Sequence, residues 1–188
     1  MSTASAVVRE SWDQQLIAKY DVQGPRYTSY PTALQFSEQF TEADYRALWP
    51  SARGDVGKAA NIAPLSLYVH VPFCENICYY CACNKIVTRQ KGRAREYLNY
   101  LEQEIRLQSA LIGRTRPVTQ MHWGGGTPTF LNAAELTELM HTIASHFRLL
   151  DSERREYAIE LDPRTVTAQL PALLKGLGFN RLSLGIQD

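Results

Sequence analysis

The chain has 188 residues, 45% of them hydrophobic and 21% charged, with a formal net charge of +1 at neutral pH. That length supports one domain with a real core, while near-neutral charge, scattered basic residues and the lack of any bilayer-length apolar run exclude nucleic-acid and membrane partners. The N-terminus MSTASAVVRESWDQQ has no apolar secretory region, so a soluble, cytoplasmic protein is expected.

In chain order, Trp12, Leu16, Ile17 and Tyr20 recur at helical spacing until Gly24-Pro25 breaks the pattern, and PRYTSYPTALQF then runs extended across two prolines. A second short helix starts at Thr41 and ends before Pro50, and SARGDVGKAANIAP reads as a linker, so residues 1–64 form an N-terminal extension. From residue 65 to 188 apolar runs of strand length alternate with amphipathic helices, the pattern of βα units on a parallel sheet. The predicted strands are Leu65 to Val71, Val118 to Trp123, Tyr157 to Leu161 and the run RLSLGIQ. Between them lie a helix from about Arg93 to Ile112, one capped by Asn132 with Glu135 three positions on, and one holding Leu170, Leu173 and Leu174. The short basic run RQKGRAR is expected to be a solvated helix start. Four parallel strands make an unfinished sheet. The fold class is therefore α/β, a partial (β/α) barrel truncated after about the fourth parallel strand, with its site at the strand C-termini.

All four cysteines, Cys74, Cys78, Cys81 and Cys83, fall within ten residues in PFCENICYYCACNK. The C-x-x-x-C-x-x-C spacing brings three thiolates together to hold a cubane iron-sulfur cluster, whereas four-ligand clusters use other spacings. One iron is then left open. Beside a glycine-rich strand end such as Gly124-Gly125-Gly126, that iron is where S-adenosylmethionine could chelate and be cleaved to a radical. Two other readings stay open. A Cys₄ zinc site usually takes two pairs separated by a loop, and disulfides require an oxidising compartment.

The other motifs land on the same rim. GGGTP at Gly124 to Pro128 removes side chains so that backbone can approach a ligand, though a glycine run can also be a simple turn. Glu160, inside the apolar run AIEL, reads as a buried carboxylate, which requires partners such as ribose hydroxyls or an ammonium, or else a structural ion pair. His70 and His122 lie in strands near the rim, where a satisfied core histidine is the commoner role.

PRYTSYPTA, LYVHVPFC, CYYCACNKIVTRQ, HWGGGTPTFL, IELDPR and FNRLSLGIQD together resemble the oxygen-independent coproporphyrinogen III oxidase (dehydrogenase) family of the radical SAM superfamily, over nearly the whole chain. Related haem chaperones share the three-cysteine motif and GGGTP but typically lack the N-terminal segment and a cysteine matching Cys83. A haem-binding chaperone is the alternative reading, and a zinc-stabilised structural protein a third.

The resemblance implies that Cys74, Cys78 and Cys81 ligate a [4Fe-4S] cluster whose remaining iron binds S-adenosylmethionine. It places Tyr68, Gly125 and Glu160 at this first molecule, and Tyr80, Gly126, Thr127 and Gln187 at a second. Tyr80 stands where phenylalanine also occurs in the family, and Ala82 replaces a glycine. Cys83 is not expected to be a ligand; a catalytic role is the expectation carried over. The reaction implied is oxidative decarboxylation of two propionates of coproporphyrinogen III to vinyls, giving protoporphyrinogen IX in haem biosynthesis. A flavodoxin-type electron donor and a monomeric state are implied as well. Tetrapyrrole carboxylates need basic partners, with Arg26, Lys85, Arg89 and Arg164 as candidates.

Overall fold

The computed structural model describes residues 13–21, 32–49, 63–79 and 81–185. The expected extended segment at PRYTSYP, most of the linker, Trp12, Arg26, Tyr80 and Gln187 lie outside these residues. The chain divides into two compact units, residues 1–42 and 43–188. In the first, α1 (Gln14–Tyr20) starts where the Asp13 side chain accepts hydrogen bonds from the backbone N–H groups of Gln15 and Leu16, at 2.9 and 3.1 Å. Its apolar residues Leu16, Ile17 and Tyr20 are exposed. The end of the run PRYTSYPTALQF, expected to be extended, is instead a 3₁₀ turn at Ala33–Gln35, closed by the Gln35 N–H donating to the Thr32 carbonyl at 2.9 Å.

The larger unit holds all but the first residue of α2 (Glu42–Ala47), then β1 (Leu65–Val71), β2 (Phe73–Cys74), β3 (Ile86–Val87), α3 (Arg93–Ile112), β4 (Pro117–Gly125), α4 (Ala133–His146), β5 (Arg148–Leu149), β6 (Glu156–Leu161), α5 (Leu170–Gly176) and β7 (Arg181–Leu184). The main sheet runs β1-β4-β6-β7, all parallel, and β5 pairs with the start of β4. This is the α/β architecture of a partial barrel, with the four expected strands in the expected order. Two short pairings were not foreseen. β2 and β3 form a separate parallel ribbon, and β5 precedes β6 along the same edge of β4, with residues 150–155 as an excursion between them. The Tyr157 hydroxyl closes that excursion, donating to the Val118 carbonyl at 2.9 Å and accepting from the Leu150 N–H at 2.8 Å.

The period-2 pattern of the strands separates two faces. Val69, Val71, Met121, Trp123, Tyr157, Ile159 and Leu161 are buried in one core with Ala94, Leu98 and Ile105 of α3 and Leu136, Leu139, Met140 and Ile143 of α4. An irregularity between Leu65 and Ser66 sets Val118 opposite Leu65 but Gln120 opposite Ser66. The extra residue, Thr119, resets the alternation so that Val118 and Met121 can both enter the core. The opposite face is polar: Ser66, Tyr68 and His70 on β1, Gln120 and His122 on β4, Glu160 on β6 and Ser183 on β7. Parallel strands are usually apolar on both faces. Here one face is left for chemistry.

The helix starts are defined by local bonds. Asn132 and Glu135 form a full capping box, in which the Asn132 side chain accepts from the Glu135 N–H at 3.0 Å and the Glu135 carboxylate accepts from the Asn132 N–H at 2.9 Å. The basic run that leads into α3 is exposed, as expected of a solvated helix start, and two of its cations also find acidic partners. Arg95 donates two bonds to Glu138 on α4, at 2.7 and 2.8 Å, and Lys91 bonds Glu75 at 2.7 Å and the Phe130 carbonyl at 3.1 Å. Asn132→Ala should lower the unfolding free energy by about 1 kcal/mol, and Leu136→Ala, which empties a core position, by about 2–5 kcal/mol. Urea titration followed by circular dichroism ranks the two, and a larger loss for Asn132→Ala would contradict this assignment.

Candidate functional site

At the C-terminal edge of the sheet, β1 leads through Pro72 into β2, and the cysteine loop returns as β3. Residues 71–74 are hydrogen-bonded on both edges. On one side the Ile86 N–H donates to the Pro72 carbonyl at 2.7 Å and the Thr88 N–H to the Cys74 carbonyl at 2.8 Å; on the other the Gly126 and Thr127 N–H groups donate to the Val71 and Phe73 carbonyls, each at 2.8 Å. The chain that presents Cys74 is thereby pinned to the end of β4.

The glycine run is explained by what surrounds it. A Cβ on Gly124 would lie 2.9 Å from the Glu160 carboxyl, and one on Gly125 2.5 Å from the His70 ring. Gly125 also has φ +107°, which L side chains rarely adopt. On Gly126 a Cβ would meet the Pro72 and Phe73 carbonyl oxygens at 2.7 Å. The run is therefore not a simple turn: all three positions lie within close packing range of the elements that build the site.

Glu160 sits on the polar face, with its side chain 41% exposed. The buried carboxylate expected from its apolar neighbours is corrected by the alternation of β6, which turns Ile159 and Leu161 into the core and Glu160 away from it. Its carboxylate is 2.9 Å from His122 Nε2 and accepts from the Gly125 N–H at 3.3 Å. The Tyr68 ring stacks on His122, with centroids 5.9 Å apart and planes 9° from parallel. The Tyr68 hydroxyl is 3.1 Å from His70 Nδ1, and His70 Nε2 is 2.8 Å from the Asn84 carbonyl oxygen. A carbonyl only accepts, so Nε2 carries the proton and Nδ1 accepts from Tyr68. The two histidines are not core residues: they join Glu160, Tyr68 and the cysteine loop. Nothing in a single sequence marks them except their place in the alternation.

None of the four cysteines is in a disulfide. Among the described residues, no three His, Cys, Asp or Glu side chains converge tightly enough to close around a single metal ion. Burial pushes the Cys74 thiol up, partly offset by the Thr127 hydroxyl 3.5 Å from its sulfur. The Cys83 backbone N–H holds Cys81 below the ordinary thiol range, whereas burial first, and the contact with Cys81 next, push Cys83 up. Lys85 supports the loop, donating to the Cys81 and Cys83 carbonyls at 3.2 and 3.3 Å.

These groups open on one cavity of about 380 Å³. Cys74, Cys78, Cys81, Cys83, Gly125, Gly126, Thr127 and Glu160 all line it, as do Asp162, Arg164 and Thr165, of which the sequence offered only Arg164, as a basic candidate. Tyr68 stands beside it through His122 and His70. Three thiols on one loop facing a glycine cradle with no side chains fit a cluster that leaves one iron for a small zwitterionic ligand.

The fold and site define a radical SAM protein: the family model of the radical SAM superfamily matches residues 68–188, and the chain belongs to that superfamily. It is similar to the oxygen-independent coproporphyrinogen III oxidase of Pseudomonas aeruginosa, 51% identical over 177 residues covering 94% of this chain and 37% of that protein. The Mannheimia haemolytica protein of the same name is 45% identical, with 81% of this chain and 97% of that sequence aligned. Within the superfamily, the chain belongs to the family of oxygen-independent coproporphyrinogen III oxidases. A solved structure, the coproporphyrinogen III oxidase of Escherichia coli described as a radical SAM enzyme, matches with TM-score 0.76 at 46% identity, over 95% of this chain and 37% of that one. The chain thus spans little more than a third of the Pseudomonas and Escherichia proteins.

Two measurements follow from this geometry. Only thiolates alkylate readily, so in the metal-free protein near neutral pH iodoacetamide should label Cys81 ahead of Cys74 and Cys83, with mass spectrometry reporting the order. The lead should shrink as pH rises and the raised thiols ionise; labelling of Cys74 first would refute it. Gly126→Ala forces a methyl onto two carbonyl oxygens, and should sharply reduce the iron retained after anaerobic reconstitution, while Gly176→Ala, where a Cβ meets nothing within 4 Å, should not.

Proposed function

We propose that this protein catalyses the oxidative decarboxylation of two propionate side chains of coproporphyrinogen III to vinyl groups, giving protoporphyrinogen IX. The observation that carries the reading is the single cavity in which Cys74, Cys78 and Cys81 face Gly125, Gly126 and Glu160. The substrate is taken from the names of the relatives.

Cys74, Cys78 and Cys81 would hold a [4Fe-4S] cluster. Bound there, the cluster and S-adenosylmethionine would supply one-electron cleavage of a sulfonium and abstraction of a hydrogen atom from a propionate β-carbon, after which the carboxylate leaves as carbon dioxide and one electron passes to an acceptor. Gly125 offers backbone at close range, and Glu160, oriented by His122, presents a carboxylate to ribose hydroxyls or an ammonium. Tyr68 stacks on His122 and narrows that side of the site. Gly126 and Thr127 line the cavity where a second S-adenosylmethionine would bind, with Tyr80 and Gln187 assigned to it by resemblance alone. Cys83, its thiol pushed up by burial and open to the cavity, is the candidate for a catalytic thiol. The chain's own contribution is to aim the reaction at one C–H bond and to shield it. A flavodoxin-type reductant, a monomeric state and a cytoplasmic setting complete the proposal; no helix of the described residues is long and apolar enough to cross a membrane.

The test is anaerobic turnover by the full-length protein with its cluster reconstituted, given dithionite, S-adenosylmethionine and coproporphyrinogen III. Methionine, 5′-deoxyadenosine and protoporphyrinogen IX should form together, and all three should vanish in Cys78→Ala. An intact cluster that yields no decarboxylated tetrapyrrole would overturn the reading.

A further inference from the structure

Positive charge is concentrated just after the cysteine loop. Residues 84–95, NKIVTRQKGRAR, hold five cations and no carboxylate in a chain whose net charge is +1, so the rest of the chain is net negative. Three of the five are committed. Lys85 donates to the Cys81 and Cys83 carbonyls, Lys91 pairs with Glu75 and Arg95 with Glu138. Arg89 and Arg93 are exposed, and no described residue bonds either guanidinium. Neither lines the cavity, so Arg89, a candidate for substrate carboxylates, is not placed to meet them there.

The run starts from the segment that would hold the cluster. Val87 on β3 is the register partner of Cys74 on β2, and the Thr88 N–H donates to the Cys74 carbonyl at 2.8 Å, one residue before Arg89. Lys91 first, and Arg89 as well, hold the Glu75 carboxyl below the ordinary carboxylate range, which places the Arg89 charge near the loop. Ile77, Tyr79 and Val87 are exposed apolar side chains of the same loop and ribbon. None of them lines the cavity, whereas Asn76 and Cys78, on either side of Ile77, do. The loop thus shows its cysteines to the cavity, and to solvent it shows apolar side chains followed by two uncommitted cations.

The function proposed above needs an electron from outside the protein, and the cavity is given over to S-adenosylmethionine and substrate. Electron-transfer partners need only a small, transient interface, and opposite charge chiefly speeds their encounter. Aromatic and apolar side chains beside arginines have the composition of such a surface. We propose that Ile77, Tyr79 and Val87, with Arg89 and Arg93, dock a small acidic carrier protein, which is oxidised by one electron as the cluster is reduced by one. The inference rests on the function proposed above. It commits to a protein rather than to the anionic substrate because all five residues stand off the cavity in which the substrate would react.

Charge reversal in the full-length, reconstituted protein tests it, with a flavodoxin as the carrier. Arg93→Glu keeps the fold, since an acidic residue at the first position of α3 suits the helix dipole, and Arg148→Glu, exposed on β5 at the other end of the sheet, is the control for net charge. Calorimetric binding of oxidised flavodoxin should weaken on the order of ten-fold in Arg89→Glu and in Arg93→Glu but not in Arg148→Glu, and wild-type binding should weaken as salt is raised. The concentration of photoreduced flavodoxin giving half-maximal 5′-deoxyadenosine formation should rise by a similar factor in the same two variants, while turnover of Arg93→Glu with excess dithionite stays at the wild-type rate. Equal effects of all three reversals, or salt-independent binding, would overturn the docking surface. So would a raised KM for coproporphyrinogen III in Arg89→Glu under dithionite, which would give that guanidinium to the substrate. Wild-type protein that forms no protoporphyrinogen IX with dithionite defeats the functional reading itself; wild type that turns over with dithionite but takes electrons from flavodoxin no differently from the variants defeats only the docking surface.

Discussion

Gly126 donates its backbone N–H to the Val71 carbonyl while its α-carbon packs against the carbonyls of Pro72 and Phe73. That contact joins the end of β4 to the chain that leaves β1, and it does so at a distance only glycine allows. Everything functional is hung from it. Thr127, one residue on, reaches both the Phe73 carbonyl and the sulfur of Cys74, and β3 closes the other edge of the same segment. A cysteine loop with two-residue strands at its ends has little packing of its own. Its position is borrowed from the parallel sheet through backbone bonds, which unlike side-chain contacts have few alternative geometries.

The second constraint is the alternation of the strands. A sheet whose helix-facing side buries Trp123, Met121 and Ile159 fixes by parity that Tyr68, His70, His122 and Glu160 face the other way. The polar groups then satisfy one another. Glu160 bonds His122, Tyr68 stacks on His122 and bonds His70, and His70 holds the Asn84 carbonyl of the cysteine loop. The Tyr97 hydroxyl, its pKa pushed up to about 12 by burial, stays protonated and donates to the His70 carbonyl from the helix side. The carboxylate and the cysteine loop therefore share one hydrogen-bonded and stacked frame, and a shift in either is felt by the other.

Much of this was legible in the sequence, for a physical reason in each case. The four long strands and α3 and α4 show as apolar runs and stripes because the core demands them, and Asn132 with Glu135 marks a helix start because orphan N–H groups demand a cap. The cysteine spacing and the glycine run stand out because few residue types can replace them. β2, β3 and β5 are two residues each, too short to carry a period. Glu160 reads as buried in AIEL because a linear run does not reveal which face of the sheet is covered. The same ambiguity made His70 and His122 read as core histidines. Lys91 and Arg95 read as solvated charge and are exposed, but their partners Glu75 and Glu138 come to them only through the fold.

The three glycines are not equivalent, and their differences show what the site can and cannot tolerate. At Gly124 the obstacle is the tip of a side chain, the Glu160 carboxyl, which has rotamers to move through although its bond to His122 resists. At Gly125 the obstacle is the His70 ring, anchored at both nitrogens, and the positive φ adds a backbone penalty that no side-chain movement relieves. At Gly126 the obstacle is backbone itself, two carbonyl groups of the segment that carries Cys74. Moving them means moving the cysteine. The constraint therefore tightens along the run from a side chain that can yield to a main chain that cannot, and it is tightest where the glycine touches the loop that would hold the cluster.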